Sequence, residues 1–168
     1  IEMNDLDAGR KRRLRIWNFI TALIHLITGV AIAGLTDRKN TYPWYVNFPT
    51  DASERGTEGF LVPAPKKVAD IAVGYFSSVF LLLAFLDHFL VILPGINGLY
   101  NRQLAQNQNQ FRWTEYSFSA SIMHVEIAML SGVSDIHLLF AIFGLTAITM
   151  VFGGIFESVN SKIRGTGK

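Results

Sequence analysis

Apolar residues along this chain gather into four long runs. The first extends from about Ile16 to Leu35 and the second from about Ala69 to Leu93. The third begins near Gln106 and ends near Val133, and the fourth covers about Ile136 to Ile155. Each reaches the roughly 20 residues that a helix needs to cross the hydrocarbon core of a bilayer. Polar residues interrupt the runs too rarely to give each helix a wet face, which disfavours a soluble bundle of very apolar helices. In lipid the backbone must satisfy its own hydrogen bonds, so the runs are expected to be helices. The pattern therefore predicts an all-α membrane protein with four transmembrane helices. It divides the chain into a basic N-terminal flank (1–15), a transmembrane domain (16–155, with a loop at 36–68) and a C-terminal tail (156–168).

The long first connection has its own pattern. Thr41-Tyr-Pro-Trp-Tyr-Val-Asn-Phe48 is aromatic and β-prone, and Gly56 to Leu61 suits a second short strand. Pro43, Pro49, Pro63 and Pro65 exclude a helix. A small hairpin over the outer mouth is expected, with a plain irregular loop as the alternative. Trp44 and Tyr45 suit the membrane interface. No internal repeat is visible.

Composition sharpens the class. Half of the 168 residues are hydrophobic, 13 are Phe, and only 17% are charged, below the soluble average of about 25%. Mean hydropathy is +0.30. A net charge of +2 is too small to argue for nucleic acid. With no cysteine, disulfides and thiolate metal sites are impossible and the redox compartment is unreadable. Arg10-Lys-Arg-Arg-Leu-Arg15 fits the basic start of a signal peptide, but the apolar run behind it is too long. It instead places the N-terminus on the cytoplasmic or equivalent side. Four spans return the C-terminus there, in agreement with Lys162, Arg164 and Lys168, while Ser131-Gly-Val-Ser-Asp135 has no Lys or Arg, as suits an outer turn. The sequence opens on Ile1 rather than Met, which points to processing, trimming or missing residues.

The candidate chemistry is the set of polar residues inside the runs. Arg112 and Glu115 lie one turn apart in the third run and are expected to interact, directly or through one water. Arg112, Glu115, Ser119 and Glu126 share one face, while Ser117, Ser121 and His124 lie nearly opposite. The serines suit close helix packing more than chemistry. His25, Asp87, His88 and Glu115 sit at compatible depths, so His25, His88 and Glu115 form either a cavity that shuttles protons or holds water, or separate helix–helix hydrogen bonds. No His-x3-His or clustered carboxylate set suggests a metal.

The third run carries a specific resemblance. Asn107-Gln-Asn-Gln-Phe-Arg-Trp-Thr-Glu-Tyr-Ser-Phe-Ser-Ala-Ser-Ile-Met123, followed less specifically by Asp135-Ile-His-Leu-Leu-Phe-Ala-Ile-Phe-Gly144, resembles the heliorhodopsins, relatives of microbial rhodopsins with inverted orientation. The likeness covers nearly all residues but four of the family's seven helices. It implies a cytoplasmic N-terminus, a strand-containing loop after the first helix, and frequent dimers. By resemblance, Glu115 falls at the counterion of the protonated retinal Schiff base. His25 in Leu23-Ile-His-Leu-Ile27 and His88 in Leu86-Asp-His-Phe-Leu90 match inner-cavity histidines, and Arg112 and Tyr116 match polar neighbours of the counterion. His124 and Glu126 stand where an apolar pair is expected and suggest a proton path or a partner.

The family's retinal-linking lysine belongs to the seventh helix. Here Lys66 and Lys67 lie in a loop, and Lys162 and Lys168 in a tail, so this chain alone is expected to bind no retinal covalently. The leading expectation is a non-enzymatic accessory membrane subunit of a larger assembly, its polar inner face covered by other helices or subunits. The alternatives are the N-terminal part of a retinal-binding light sensor, whose lysine-bearing helix lies elsewhere, and a proton-conducting relative.

Overall fold

The computed structural model describes residues 6–48, 54–55, 61–62 and 64–164. Helix α1 spans Ala8–Leu35, and four strands follow: β1 (Tyr42–Val46), β2 (Glu54–Arg55), β3 (Leu61–Val62) and β4 (Lys66–Ile71). Helices α2 (Gly74–Leu90), α3 (Ile96–Ala105), α4 (Gln110–Leu130) and α5 (Ile136–Arg164) complete the chain.

The helix boundaries differ from the apolar runs for local reasons. α1 starts eight residues before Ile16 because Asp7 caps it, its carboxylate accepting from the Gly9 N–H at 3.1 Å, and Arg and Lys are good helix formers. The second run was expected to start at Ala69, but Ala69 to Ile71 are spent in β4, so α2 begins at Gly74 and is only 17 residues long. The polar stretch after it folds into α3, entered through Gly95 at φ 89°. Asn107, at φ 56°, makes the left-handed step between α3 and α4 that Asn tolerates better than most residues. Asn109 then caps α4, its side chain accepting from the Arg112 N–H at 3.1 Å. α5 continues past Ile155 into the expected tail.

Among the described residues, only α1 and α5 are both long and apolar enough to cross a bilayer on those grounds alone. α2 is apolar but short, and α4 carries Arg112, Glu115, His124 and Glu126.

The four long helices form a row in the order α1, α2, α4, α5, each packed on its neighbours in sequence. They alternate in direction. Gly29 of α1 lies against Leu82 of α2 while Thr36 lies against Gly74, and His124 of α4 meets Thr146 of α5 while Arg112 meets Glu157. The start of α1 and the end of α5 therefore lie at one end of the row. Close approach is set by small residues. The Ser78 hydroxyl donates to the Gly29 carbonyl at 2.9 Å, and Gly153 lies under the Trp113 ring, where an added Cβ would meet ring atoms at 2.6 and 2.9 Å. Gly153→Ala is expected to cost about 1–3 kcal/mol by overpacking, read as a lower thermal midpoint in detergent. An unchanged midpoint would show that Trp113 swings aside freely.

At the other end lies the strand layer. β1 pairs antiparallel with β4, from Tyr42↔Ile71 to Val46↔Lys66, with a bulge between Trp44 and Tyr45. β1 thus takes β4 as its partner, and the expected second strand at Gly56 to Leu61 falls almost wholly outside the described residues. β2 and β3 pair only with each other, and residues 56–60 lie outside those described. Trp44, expected at the membrane interface, turns inward instead. Its indole N–H points at the Met129 sulfur at 3.4 Å and its ring packs on Phe76. It thereby joins the buried cluster of Val125, Ala128, Met129 and Leu139.

Asp135 fastens this layer to the helices. Its carboxylate caps α5 by accepting the Leu138 N–H at 2.9 Å and also takes the Asn47 amide, while the Tyr45 N–H donates to the Ser134 carbonyl at 2.9 Å. The Leu138 N–H, the Asn47 amide and nearby His137 hold the Asp135 carboxyl below its ordinary value. A depressed carboxyl stabilises the fold above its unfolded pKa of about 3.9, and that contribution is lost as pH falls through the lower folded value. Acidification below about pH 4 is expected to loosen the strand layer, read as a change in Trp44 emission. Asp135→Asn should flatten that response, and an unaltered acid transition in the variant would count against this role.

Candidate functional site

α2 and α4 meet in the middle of the row, and most of the sequence-selected residues lie on or beside their seam. Glu115 is half-buried, with the Ser119 hydroxyl near its carboxylate, one turn farther along α4. Asp87 of α2 lies close enough to act on it electrostatically. Both carboxyl groups line a groove of about 380 Å³, walled mainly by Leu86, Leu90, Phe111 and Phe118, with Gln103 and Gln110 at its edge. The groove opens on a face of the row that no described helix covers, where Leu86 and Phe118 are exposed. Carboxyl groups on an apolar face call for a cation or a donor opposite them, because an uncompensated charge in such surroundings is costly.

The histidines form a separate group between α1 and α2. The rings of His25 and His88 stack at 5.7 Å with only 9° between their planes, and His88 Nδ1 is 2.7 Å from the buried Asn18 side-chain oxygen. The structure thus brings the two histidines together, but no hydrogen bond joins either to Glu115 among the described residues. The expected three-residue cavity is divided by α2, with the imidazoles on one side and the carboxyl pair on the other.

Arg112 corrects a second expectation. It does not pair with Glu115 but reaches across to α5, where its guanidinium lies 3.0 Å from the Glu157 carboxylate. Residues three apart on a helix are about 60° apart around its axis, and here that angle sends Glu115 toward α2 and Arg112 toward α5. Glu157 also accepts the Asn109 N–H at 2.8 Å and the Trp113 indole N–H at 2.9 Å. One carboxylate so compensates the Arg112 charge and the positive end of α4 together. Around it, Gln110 donates to Ser158 at 2.6 Å and Gln108 to Ser161 at 2.8 Å. Sequence reasoning missed Glu157, which falls just beyond the fourth apolar run. The available signal was that it is the only acidic residue after Asp135.

Farther out, Glu126 is buried on the α2-facing side of α4 and accepts the Ser77 hydroxyl. His124 is exposed and lies 3.3 Å from the Thr146 hydroxyl of α5. The two point to different neighbours, and no hydrogen bond links them among the described residues. Tyr116 is 43% exposed, facing away from the core.

A row of helices, two of them long and apolar enough to cross a bilayer, with ionisable groups held at its internal seams fits a helical integral membrane protein. The heliorhodopsin family model matches residues 14–167, and the chain belongs to that family. No curated protein matches it.

Proposed function

We propose that this chain forms the counterion side of a heliorhodopsin light sensor. In this reading α1, α2, α4 and α5 are four membrane spans, with both termini on the cytoplasmic side. The protein binds and senses rather than catalyses. The observation that carries it is Glu115, lining an apolar groove together with Asp87 on an uncovered face.

These residues fit the part of a retinal site that faces a counterion. They do not supply the attachment point, because no lysine lies in the membrane portion of a described helix. Retinal, when bound, would supply light absorption and a positive charge at its linkage. Glu115 compensates that charge, Ser119 fixes the carboxylate, and Phe111 and Phe118 keep water from the groove. The lysine comes from further membrane helices, of the same polypeptide or of a different partner subunit, and these or a second copy cover the groove. Behind α2, His88 is hydrogen-bonded to Asn18 and stacked on His25.

The distribution of lysines favours a second reading, an accessory membrane subunit with no retinal photochemistry of its own. The absorbance spectrum of the protein purified from its native membrane with retinal supplied separates the two. The sensor reading expects a visible band, moved to longer wavelength in Glu115→Gln because the positive charge is no longer pinned near a carboxylate. No visible band, with the protein folded, would favour the accessory subunit.

A further inference from the structure

The first two turns of α1 precede its apolar part and carry Arg10, Lys11, Arg12, Arg13 and Arg15. At 100° per residue the four arginines stand at roughly 0°, 200°, 300° and 140° around the axis, a collar rather than a stripe. All four are exposed, and none makes an ion pair among the described residues. Asp7, the nearest acid described, is engaged in capping the helix. Directly after the collar come Ile16, Trp17 and Phe19, at 48%, 61% and 57% exposure. Such a surface belongs in lipid, which sets the arginines at headgroup level. Arg102, exposed in the last turn of α3, is on the connection at the same end of the row.

The opposite end is different. There Lys67 pairs with Asp70 at 2.7 Å, Arg38 donates to the Tyr75 hydroxyl at 3.0 Å, and His137 stands 3.6 Å from Asp135. Lys67, Arg38 and His137 thus have local partners, whereas the four arginines of the collar have none among the described residues.

We propose that the arginine collar of α1 gathers anionic phospholipid headgroups, several at once, into the shell around the protein. Guanidinium groups match phosphate oxygens in a two-pronged geometry, and a basic cluster directly beside a membrane span is drawn to an anionic leaflet. A full ring admits headgroups from every direction, so the effect is a local enrichment rather than one enclosed site. Most of the collar, Arg10 to Arg13, precedes the residues matched by the family. The inference rests on the membrane placement of α1 and not on the photochemical reading.

The test is electron spin resonance of the protein in phosphatidylcholine vesicles carrying trace spin-labelled phosphatidylglycerol or phosphatidylcholine. The anionic lipid is expected to associate about threefold more strongly, with the preference fading toward unity as salt rises. Replacing all four arginines by Gln (R10Q, R12Q, R13Q and R15Q together) should remove most of the preference, and replacing them by Lys should keep most of it. Inorganic phosphate should compete no better than chloride at equal ionic strength, since the source is a headgroup held in the bilayer. Equal association of the two lipids with the native sequence would overturn the proposal. So would a preference untouched by the Gln variant, a loss in the Lys variant, or displacement by phosphate beyond the chloride effect.

Discussion

Glu157→Ala is expected to lower stability by about 3 kcal/mol, the low end of the cost of breaking a buried pair. The low end applies because the Arg112 side chain is 42% exposed, whereas that of Glu157 is only 11% exposed. The variant leaves three donors without their acceptor: the Arg112 guanidinium, the Trp113 indole and the Asn109 N–H. Arg112 Nε is already buried without a partner, so the guanidinium depends on Glu157 for compensation. For a chain of this length, 3 kcal/mol corresponds to a drop of roughly 10 °C in the thermal midpoint. Arg112→Ala combined with Glu157→Ala should cost less than the sum of the single changes, because the second removal no longer strands a charge. A Glu157→Ala midpoint within a degree of the parent would show that the cluster contributes no stability.

The second large effect is expected at the opposite end of the row. Trp44→Ala should cost about 3 kcal/mol, the lower part of the range for deleting a large core aromatic, since Trp44 is half-buried. It removes the ring that touches Met129 and Phe76 and leaves a void against the buried cluster. The loss should be local as well as global: amide exchange in β1 and β4 should quicken more than in α1, which Trp44 does not hold. Uniform exchange along the chain would sink the idea that this residue pins the strand layer.

Four of the five described helices were legible in the sequence because each carries a long apolar run. Their ends were not, since those depend on competing local choices. Ala69 to Ile71 are apolar enough for a span, but they pair with Tyr42 to Trp44 across the sheet, a partnership that a linear pattern does not reveal. α3 is too polar to register as an apolar run and is placed by the turns that flank it. Within the candidate site, Glu115 was recognisable as a costly charge in an apolar helix. The partner of Arg112 was not, because spacing within one helix names only local candidates. Glu157 is 45 residues away and becomes adjacent only when α5 folds back on α4. Likewise, His25 and His88 were matched by depth, but depth does not say on which side of α2 each imidazole falls.

The serial order of the row bears on how the protein is made. Each long helix packs on the long helix synthesised just before it, so no contact in the row must wait for a distant segment to emerge. α1 and α2 can pair as a hairpin while α4 is still in the ribosome, and α4 and α5 can add as a second hairpin. Contacts that are near in sequence also close quickly, since little chain entropy is lost in joining them. The growing chain can therefore assemble as two successive hairpins, with the groove beside Glu115 left open on one face of the row.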